Sequence, residues 1–408
     1  MRALAVLSMH TSPLAQPGTG DGGGMNVYVR ELAAALARAG VRCDVYTRSW
    51  SEQQAPIVEV EPGLVVHHVP AGPLDRVPKE ALHGLVPEFT EAVLQRMAAG
   101  HHPDAIHANY WLSGIAGHTI KHALDLPLVS TFHTLDRVKA EVDLSDDGEH
   151  RSEAEADIIG CSDAILASCD DEVAQLVRLY DADASRIEIV APGVDHAFFA
   201  PGQRRQARRA VGLPEAGRML LFVGRIQPLK GLEVAVRALA ELADRVPDAF
   251  LVVVGGPSGP SGEVEVDRMK ALVEHLGLAG RVRFIPPQPH ELLSTFYRAA
   301  DVCVVPSRSE SFGLVALEAA ACGIAVVASD VGGLTSLVDD GRTGFLVAER
   351  DHHAFAEAIA AVLTDPVLAA ELGRRAAARA LEYTWSIAAG RLRRLYGDLT
   401  ARQLVECR

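Results

Sequence analysis

Glu310 and Glu318 belong to one short stretch, Pro306-Ser307-Arg308-Ser309-Glu310-Ser311-Phe312-Gly313-Leu314-Val315-Ala316-Leu317-Glu318. Carboxylates there can accept hydrogen bonds from hydroxyls. The turn Gly313-Leu314-Val315 opens a helix whose free N–H groups can meet a phosphate or a sugar. A glycosidase would also use two carboxylates, one on either side of the scissile bond. Here both lie on one strand-loop-helix segment, which suits a bound sugar nucleotide better. A helix-capping glutamate beside a solvated one is the plain alternative. Arg225 and Lys230 flank a tight turn in Phe222-Val223-Gly224-Arg225-Ile226-Gln227-Pro228-Leu229-Lys230-Gly231. Arg as a fork and Lys as a point charge can share a diphosphate; a solvated basic pair is the competing reading. The run Gly18-Thr19-Gly20-Asp21-Gly22-Gly23-Gly24-Met25-Asn26 ends on a strong helix start. Gly23 and Gly24 then allow close backbone approach to an anion at the helix N-terminus, where a merely flexible loop would need no such ending. The letters also fit G-x-G-x-x-G. No acidic residue closes a second strand as a ribose-binding dinucleotide site requires.

Each segment needs a strand before it and a helix after it, and the chain supplies both. Strands are expected over 3–8, 43–46, 64–69, 105–107, 128–131 and 164–167, with helices over 26–39, 79–98 and 112–123 between them. The pattern breaks at Ala191-Pro192-Gly193-Val194-Asp195 and the polar stretch 203–209. It resumes with strands over 219–224, 250–254, 282–285, 302–305 and 325–328 and helices over 232–243, 265–276, 291–300 and 314–321. Such alternation is the signature of parallel, doubly wound sheets. The fold class is therefore α/β with two Rossmann-like domains, over 1–195 and 196–383, and a last helical segment over 384–408. Ligands in such sheets sit at the carboxyl ends of the strands, so a cleft between the domains is the expected site.

The length of 408 residues suits two or three domains. Residues 1–200 carry 14 basic and 29 acidic side chains and the rest 25 and 24, so the net charge of −14 resides in the first part. No clustered basic run offers a grip for nucleic acid, and an acidic first domain disfavours an anionic membrane surface. No apolar stretch approaches the ~18 residues that span a bilayer, and the N-terminus lacks a signal-peptide pattern, so a cytoplasmic enzyme is expected. The six cysteines show neither C-x-x-C spacing nor disulfide-scaffold density and read as buried thiols. His118 and His122 have helical spacing that could hold a metal, but with no third ligand evident nearby the pair reads as solvated or capping residues.

Taken together, Gly23-Gly24-Met25-Asn26, Gly224-Arg225 with Lys230, and the Glu310 to Glu318 pair resemble the retaining glycosyltransferases of family 4, whose fold is the two-domain GT-B arrangement. The resemblance runs the whole length, including Tyr383-Thr384-Trp385 ahead of a last helix that in this fold crosses back to the first domain. The segment from His10 to Asp21 is similar to the branch of that family that moves N-acetylglucosamine from UDP-N-acetylglucosamine to 1D-myo-inositol 3-phosphate in mycothiol synthesis.

The resemblance implies a role for each matching residue. Lys79, Tyr110, Thr134 and Arg151 would hold the acceptor phosphate, Asn26 would face the inositol ring, and His10 would lie beside both substrates. On the donor side, Gly23, Gly24, Arg225, Lys230, Glu310, Phe312, Gly313, Leu314, Val315 and Glu318 would hold the UDP-sugar, with Glu318 on the ribose. His133, Glu310, Arg225 and Lys230 would carry the transfer, His133 near the sugar's 6-hydroxyl; a packed residue after a strand is the plain alternative for His133. Gln288 stands where an Arg near the uracil is implied, and the stretch 143–150 is shorter than the family's. No essential metal or other cofactor is expected, since the basic residues replace a metal at the diphosphate. A homodimer is usual in the family.

Three rivals differ by residues. A lipid-directed mannosyltransferase should show a basic or amphipathic face on the first domain. A sugar-nucleotide 2-epimerase needs no acceptor phosphate site, and a non-catalytic nucleotide-binding module would be expected to lose part of the His133, Arg225, Lys230, Glu310 and Glu318 set. All five are present.

Overall fold

Runs of buried Val, Leu, Ile and Ala, too short for helices and apolar on both faces, form two parallel sheets covered by amphipathic helices. The structure, a computed structural model, describes residues 2–20, 22–100, 102–144, 149–259, 262–348 and 350–407. Asp21 of the glycine-rich loop and residues 145–148 ahead of Arg151 lie outside them.

The chain divides into two compact units. The first comprises Met1–Ala15, Gly24–Gly193 and Trp385–Arg408. Its strands are β1 (Ala3–Leu7), β2 (Arg42–Arg48), β3 (Ile57–Glu61), β4 (Leu64–Val69), β5 (Ala105–Asn109), β6 (Leu128–Thr131), β7 (Ala164–Ala167) and β8 (Ile187–Ile189). They lie in the order β3-β4-β2-β1-β5-β6-β7-β8, parallel except for the edge strand β3. The helix Trp385–Leu399 packs on Gly24–Arg38 within this unit. Its Trp385 meets Tyr28 edge-on, and its Tyr396 hydroxyl lies 2.8 Å from His107 Nδ1.

The second unit comprises Gln16–Gly23 and Val194–Thr384. Its strands β9 (Arg218–Val223), β10 (Ala249–Val254), β11 (Val282–Ile285), β12 (Val302–Val305), β13 (Val326–Ser329) and β14 (Gly344–Val347) are ordered β11-β10-β9-β12-β13-β14. The glycine-rich loop after β1 thus groups with the second unit, whereas the sequence places all of 1–195 together. Gln16 Nε2 donates to the Pro287 carbonyl at 3.0 Å, and Gly18 lies against the Pro287 ring.

Two expectations are corrected. Residues 79–98 do not form one helix: a 3₁₀ segment, Lys79–Leu85, precedes the α-helix Val86–Ala98, because Pro87 has no N–H to continue a helix and suits the first turn of a new one. Nor are all six cysteines thiols. Cys43, Cys169, Cys303 and Cys322 are buried and free, but Cys161 and Cys407 are paired as a disulfide. The reason lies at the C-terminus. Lys121 Nζ donates to Asp163 Oδ2 (2.8 Å), the Cys161 carbonyl (2.7 Å) and the Val405 carbonyl (3.0 Å), and Val405 N donates to Asp163 Oδ1 (2.7 Å). This buried ion pair binds the tail and sets Cys407 beside Cys161.

Candidate functional site

In the first unit, the loops after β1, β5 and β6 carry His10, Tyr110 and Thr134, while Lys79 opens the 3₁₀ segment after β4, Asn26 lies in the helix Gly24–Arg38 and Arg151 in the helix Glu149–Cys161. Tyr110 follows β5 directly and His133 follows β6, and both take left-handed backbone angles, with φ of 75° and 63°. Such angles are strained for side chains with a Cβ and persist only where the surroundings impose them, as at ligand sites. Tyr110 begins the helix Trp111–Leu124; Lys79 Nζ stands 5.2 Å and the Arg151 guanidinium carbon 5.0 Å from its ring centre. His10 packs on the same ring at 4.5 Å. The Tyr110 hydroxyl and the Trp111 Nε1 are buried without a hydrogen-bond partner among the described residues.

Arg151, 0% exposed, lies in the helix Glu149–Cys161. Its Nε donates to Glu155 Oε1 at 2.8 Å, and its Nη2 donates to the Thr134 carbonyl (2.9 Å) and hydroxyl (3.2 Å). Glu155 also accepts from Asp136 N and the Tyr180 hydroxyl. Burial pushes its carboxyl up, against the opposing pull of Arg151. A buried arginine held on one side by a carboxylate keeps a fixed orientation for its other N–H groups. Lys79, Tyr110, Thr134 and Arg151, drawn from four segments, therefore form one cluster. Sequence reasoning missed its wall: His83 and His150 each pack on Trp111, at 5.4 and 5.8 Å, and on each other at 5.4 Å.

Asn26, 1% exposed, donates through Nδ2 to Thr11 Oγ1 (2.7 Å) and the Ser12 carbonyl (2.6 Å), which ties the helix Gly24–Arg38 to the loop carrying His10. His133 sets Nε2 3.0 Å from Asn109 Oδ1 and meets Tyr28 edge-on. The residue is half-buried, and desolvation and the neighbouring His107 push its ring down to about 3. The ring is neutral at ordinary pH.

In the second unit, the turns after β9 and β12 face one another. Gly231, with φ of 67°, admits no Cβ because one would run into the Pro306 carbonyl, so the Lys230 turn sits directly on the Pro306 loop. Lys230 Nζ donates to Glu310 Oε2 at 2.6 Å, and Ser307 Oγ donates to the same oxygen at 3.1 Å. Arg225 Nη1 lies 3.3 Å from Ser258 Oγ, and Gly23 lies against its guanidinium so closely that a Cβ would stand 3.2 Å from Nε. Gly313 takes φ of 101° at the start of the helix Leu314–Ala321, leaving the N–H groups of Leu314 and Val315 in its first turn. Phe312 is buried against Tyr383. Gly332 and Gly333 press on the backbone of Glu310 and Phe312, and Gly333 N donates to the Glu310 carbonyl at 2.9 Å. The dipeptide Gly332-Gly333 is the sequence signal for this brace.

Glu318 is 5% exposed, and both its oxygens are engaged: Oε1 lies 2.6 Å from His290 Nε2, and Oε2 accepts from the Tyr297 hydroxyl at 2.7 Å. His290 and Tyr297 share one face of the helix His290–Ala299. Gln288 turns its amide to the Pro286 carbonyl.

Comparisons with known proteins show the family and the fold. A family model described as Glycosyltransferase Family 4 matches residues 22–198, and one described as Glycosyl transferases group 1 matches residues 203–379. The chain belongs to the family 4 glycosyltransferases, with the GT-B fold. This glycosyltransferase is 48% identical to D-inositol 3-phosphate glycosyltransferase 2 of Catenulispora acidiphila, over 95% of this chain and 93% of that one. It is 46% identical to the D-inositol 3-phosphate glycosyltransferase of Actinosynnema mirum, over 98% and 97%. Among solved structures, the sucrose-phosphate synthase of Thermosynechococcus elongatus is 35% identical with a TM-score of 0.92, over 98% of this chain and 100% of that one. The Anabaena protein HepE, solved with UDP and glucose, shares the fold at 19% identity and a TM-score of 0.79, over 98% and 100%. Among the described residues, no helix of this glycosyltransferase is long and apolar enough to cross a membrane.

Proposed function

We propose that this glycosyltransferase moves N-acetylglucosamine from UDP-N-acetylglucosamine to 1D-myo-inositol 3-phosphate with retention at the anomeric carbon, releasing UDP. The observation that carries the reading is the Tyr110 cluster: two cations, Lys79 and Arg151, converge on a ring whose buried hydroxyl has no partner among the described residues. That is chemistry for a small phosphate ester, and relatives at 42–48% identity bear the matching name.

On the donor side, Arg225 and Lys230 neutralise the diphosphate, and the N–H groups of Leu314 and Val315 add backbone donors. Glu310 accepts from sugar hydroxyls once Lys230 turns to phosphate, and Glu318, oriented by His290 and Tyr297, accepts from the ribose. The bond from the anomeric carbon to the β-phosphate oxygen breaks as the acceptor oxygen bonds on the same face. The leaving phosphate takes the acceptor's hydroxyl proton, so no separate base is needed. Neutral His133 places a dipole by the sugar's 6-hydroxyl without repelling the positive charge that develops on the ring.

The likeness to a sucrose-phosphate synthase favours one second reading, in which the acceptor is a sugar phosphate. UDP or GDP release with UDP-N-acetylglucosamine, UDP-glucose and GDP-mannose, each with inositol 3-phosphate, fructose 6-phosphate, free inositol or no acceptor, decides between them. Release that is independent of any phosphorylated acceptor overturns both.

A further inference from the structure

His118 and His122 stand one helical turn apart near the end of the helix Trp111–Leu124, with rings 5.1 Å apart. Cys161 ends the neighbouring helix Glu149–Cys161, and Cys407 arrives on the anchored C-terminal tail. His122 Nε2 lies 3.0 Å from Cys407 Sγ and 3.5 Å from Cys161 Sγ, and the four side chains each offer a ligand atom within 4.8 Å of the others.

We propose that, with both cysteines as thiolates, His118, His122, Cys161 and Cys407 form a structural zinc site. Two sulfurs and two imidazole nitrogens are a complete ligand set for closed, tetrahedral Zn²⁺. Bonds of about 2.0–2.3 Å put tetrahedral ligand atoms about 3.3–3.8 Å apart, so the widest pair must close by about 1 Å. The exposure of His122 makes that movement easy. The independent observation is the anchor beside the cluster, where Lys121 and Asp163 bind the Val405 backbone through bonds that involve neither sulfur.

The position gives the metal a purpose. The two helices it would join carry Trp111 at the start of one and Arg151 near the start of the other. A staple at their far ends limits relative sliding of the helices that hold the acceptor cluster. It is a site separate from the chemistry of transfer, since none of its four residues belongs to the donor or acceptor sets.

The test uses the full chain purified under reductant. One zinc per chain is expected, lost in Cys407→Ser, with a lower melting temperature and a turnover number close to that of the parent at low temperature. Co²⁺ loaded in place of zinc should give the thiolate-to-metal charge-transfer absorption of a tetrahedral sulfur site, absent from Cys407→Ser. Reduced protein that takes up neither ion, or a metal content unchanged in Cys407→Ser, overturns the proposal. So does a Cys161 to Cys407 disulfide that peptide mapping finds intact in metal-free protein kept under reductant.

Discussion

Lys230 and Glu310 hold each other at 2.6 Å, although each is expected on a different part of the donor, the diphosphate for one and the sugar for the other. In the proposed reading, donor binding exchanges this internal ion pair for two ligand contacts. Removing one partner leaves the other unpaired, a cost of about 2–5 kcal/mol when the pair is buried and less for this partly exposed one. Lys230→Ala and Glu310→Gln should each lower kcat/KM strongly, and the double variant should lose less than the product of the two losses. A strictly multiplicative effect in steady-state kinetics contradicts the coupling.

Lys79→Ala should raise KM for the phosphorylated acceptor far more than it weakens UDP binding measured by calorimetry. Arg151→Lys should act in the same direction, because an ammonium cannot reach Glu155 and Thr134 with the guanidinium's fork. Equal losses for acceptor and nucleotide would remove both residues from the phosphate site.

In the proposed reading, Arg225 and Lys230 supply positive charge where a divalent ion would otherwise meet the diphosphate. Transfer is expected to keep its initial rate in EDTA and to gain nothing from added Mg²⁺. An immediate loss of rate, reversed by Mg²⁺ alone, contradicts this; slow inactivation on warming in chelator belongs to the proposed staple instead.

Acid should weaken the first unit through His107. The ring, 1% exposed, lies 2.8 Å from Thr131 Oγ1 and from the Tyr396 hydroxyl, and burial pushes it down to about 3. The unfolded chain takes up a proton as pH falls below about 6.5 while the folded one does not, so stability present at neutral pH is lost on acidification. The slope approaches about 1.4 kcal/mol per pH unit for one such residue between those two values. Urea unfolding from pH 7 to pH 4 should show the decline, and His107→Gln should make it shallower, leaving the share that His133, also pushed down to about 3, contributes.

Gly231→Ala should destabilise the Lys230 turn. The left-handed angle alone costs about 1–2 kcal/mol, and the Cβ would also meet the Pro306 carbonyl. A lower urea midpoint together with weaker UDP binding is expected; an unchanged UDP affinity separates the turn from the donor site.

What the sequence determined by itself was local. Strand, glycine turn and helix are neighbours in the chain, so β9 with Arg225 and Lys230, and β12 with Glu310 and Gly313, were legible from periodicity and turn residues. The resemblance then supplied roles for residues such as Lys79 and Arg151. The tertiary structure decided which distant segments meet. It grouped Gln16–Gly23 with the second unit, braced Glu310 with Gly332 and Gly333, oriented Glu318 with His290 and Tyr297, and brought Cys161 and Cys407 to His118 and His122. Periodicity records which face of an element is buried, but not which remote element covers it. That choice follows from sheet order and from anchors such as Lys121 with Asp163, which act across stretches of chain that local patterns do not link.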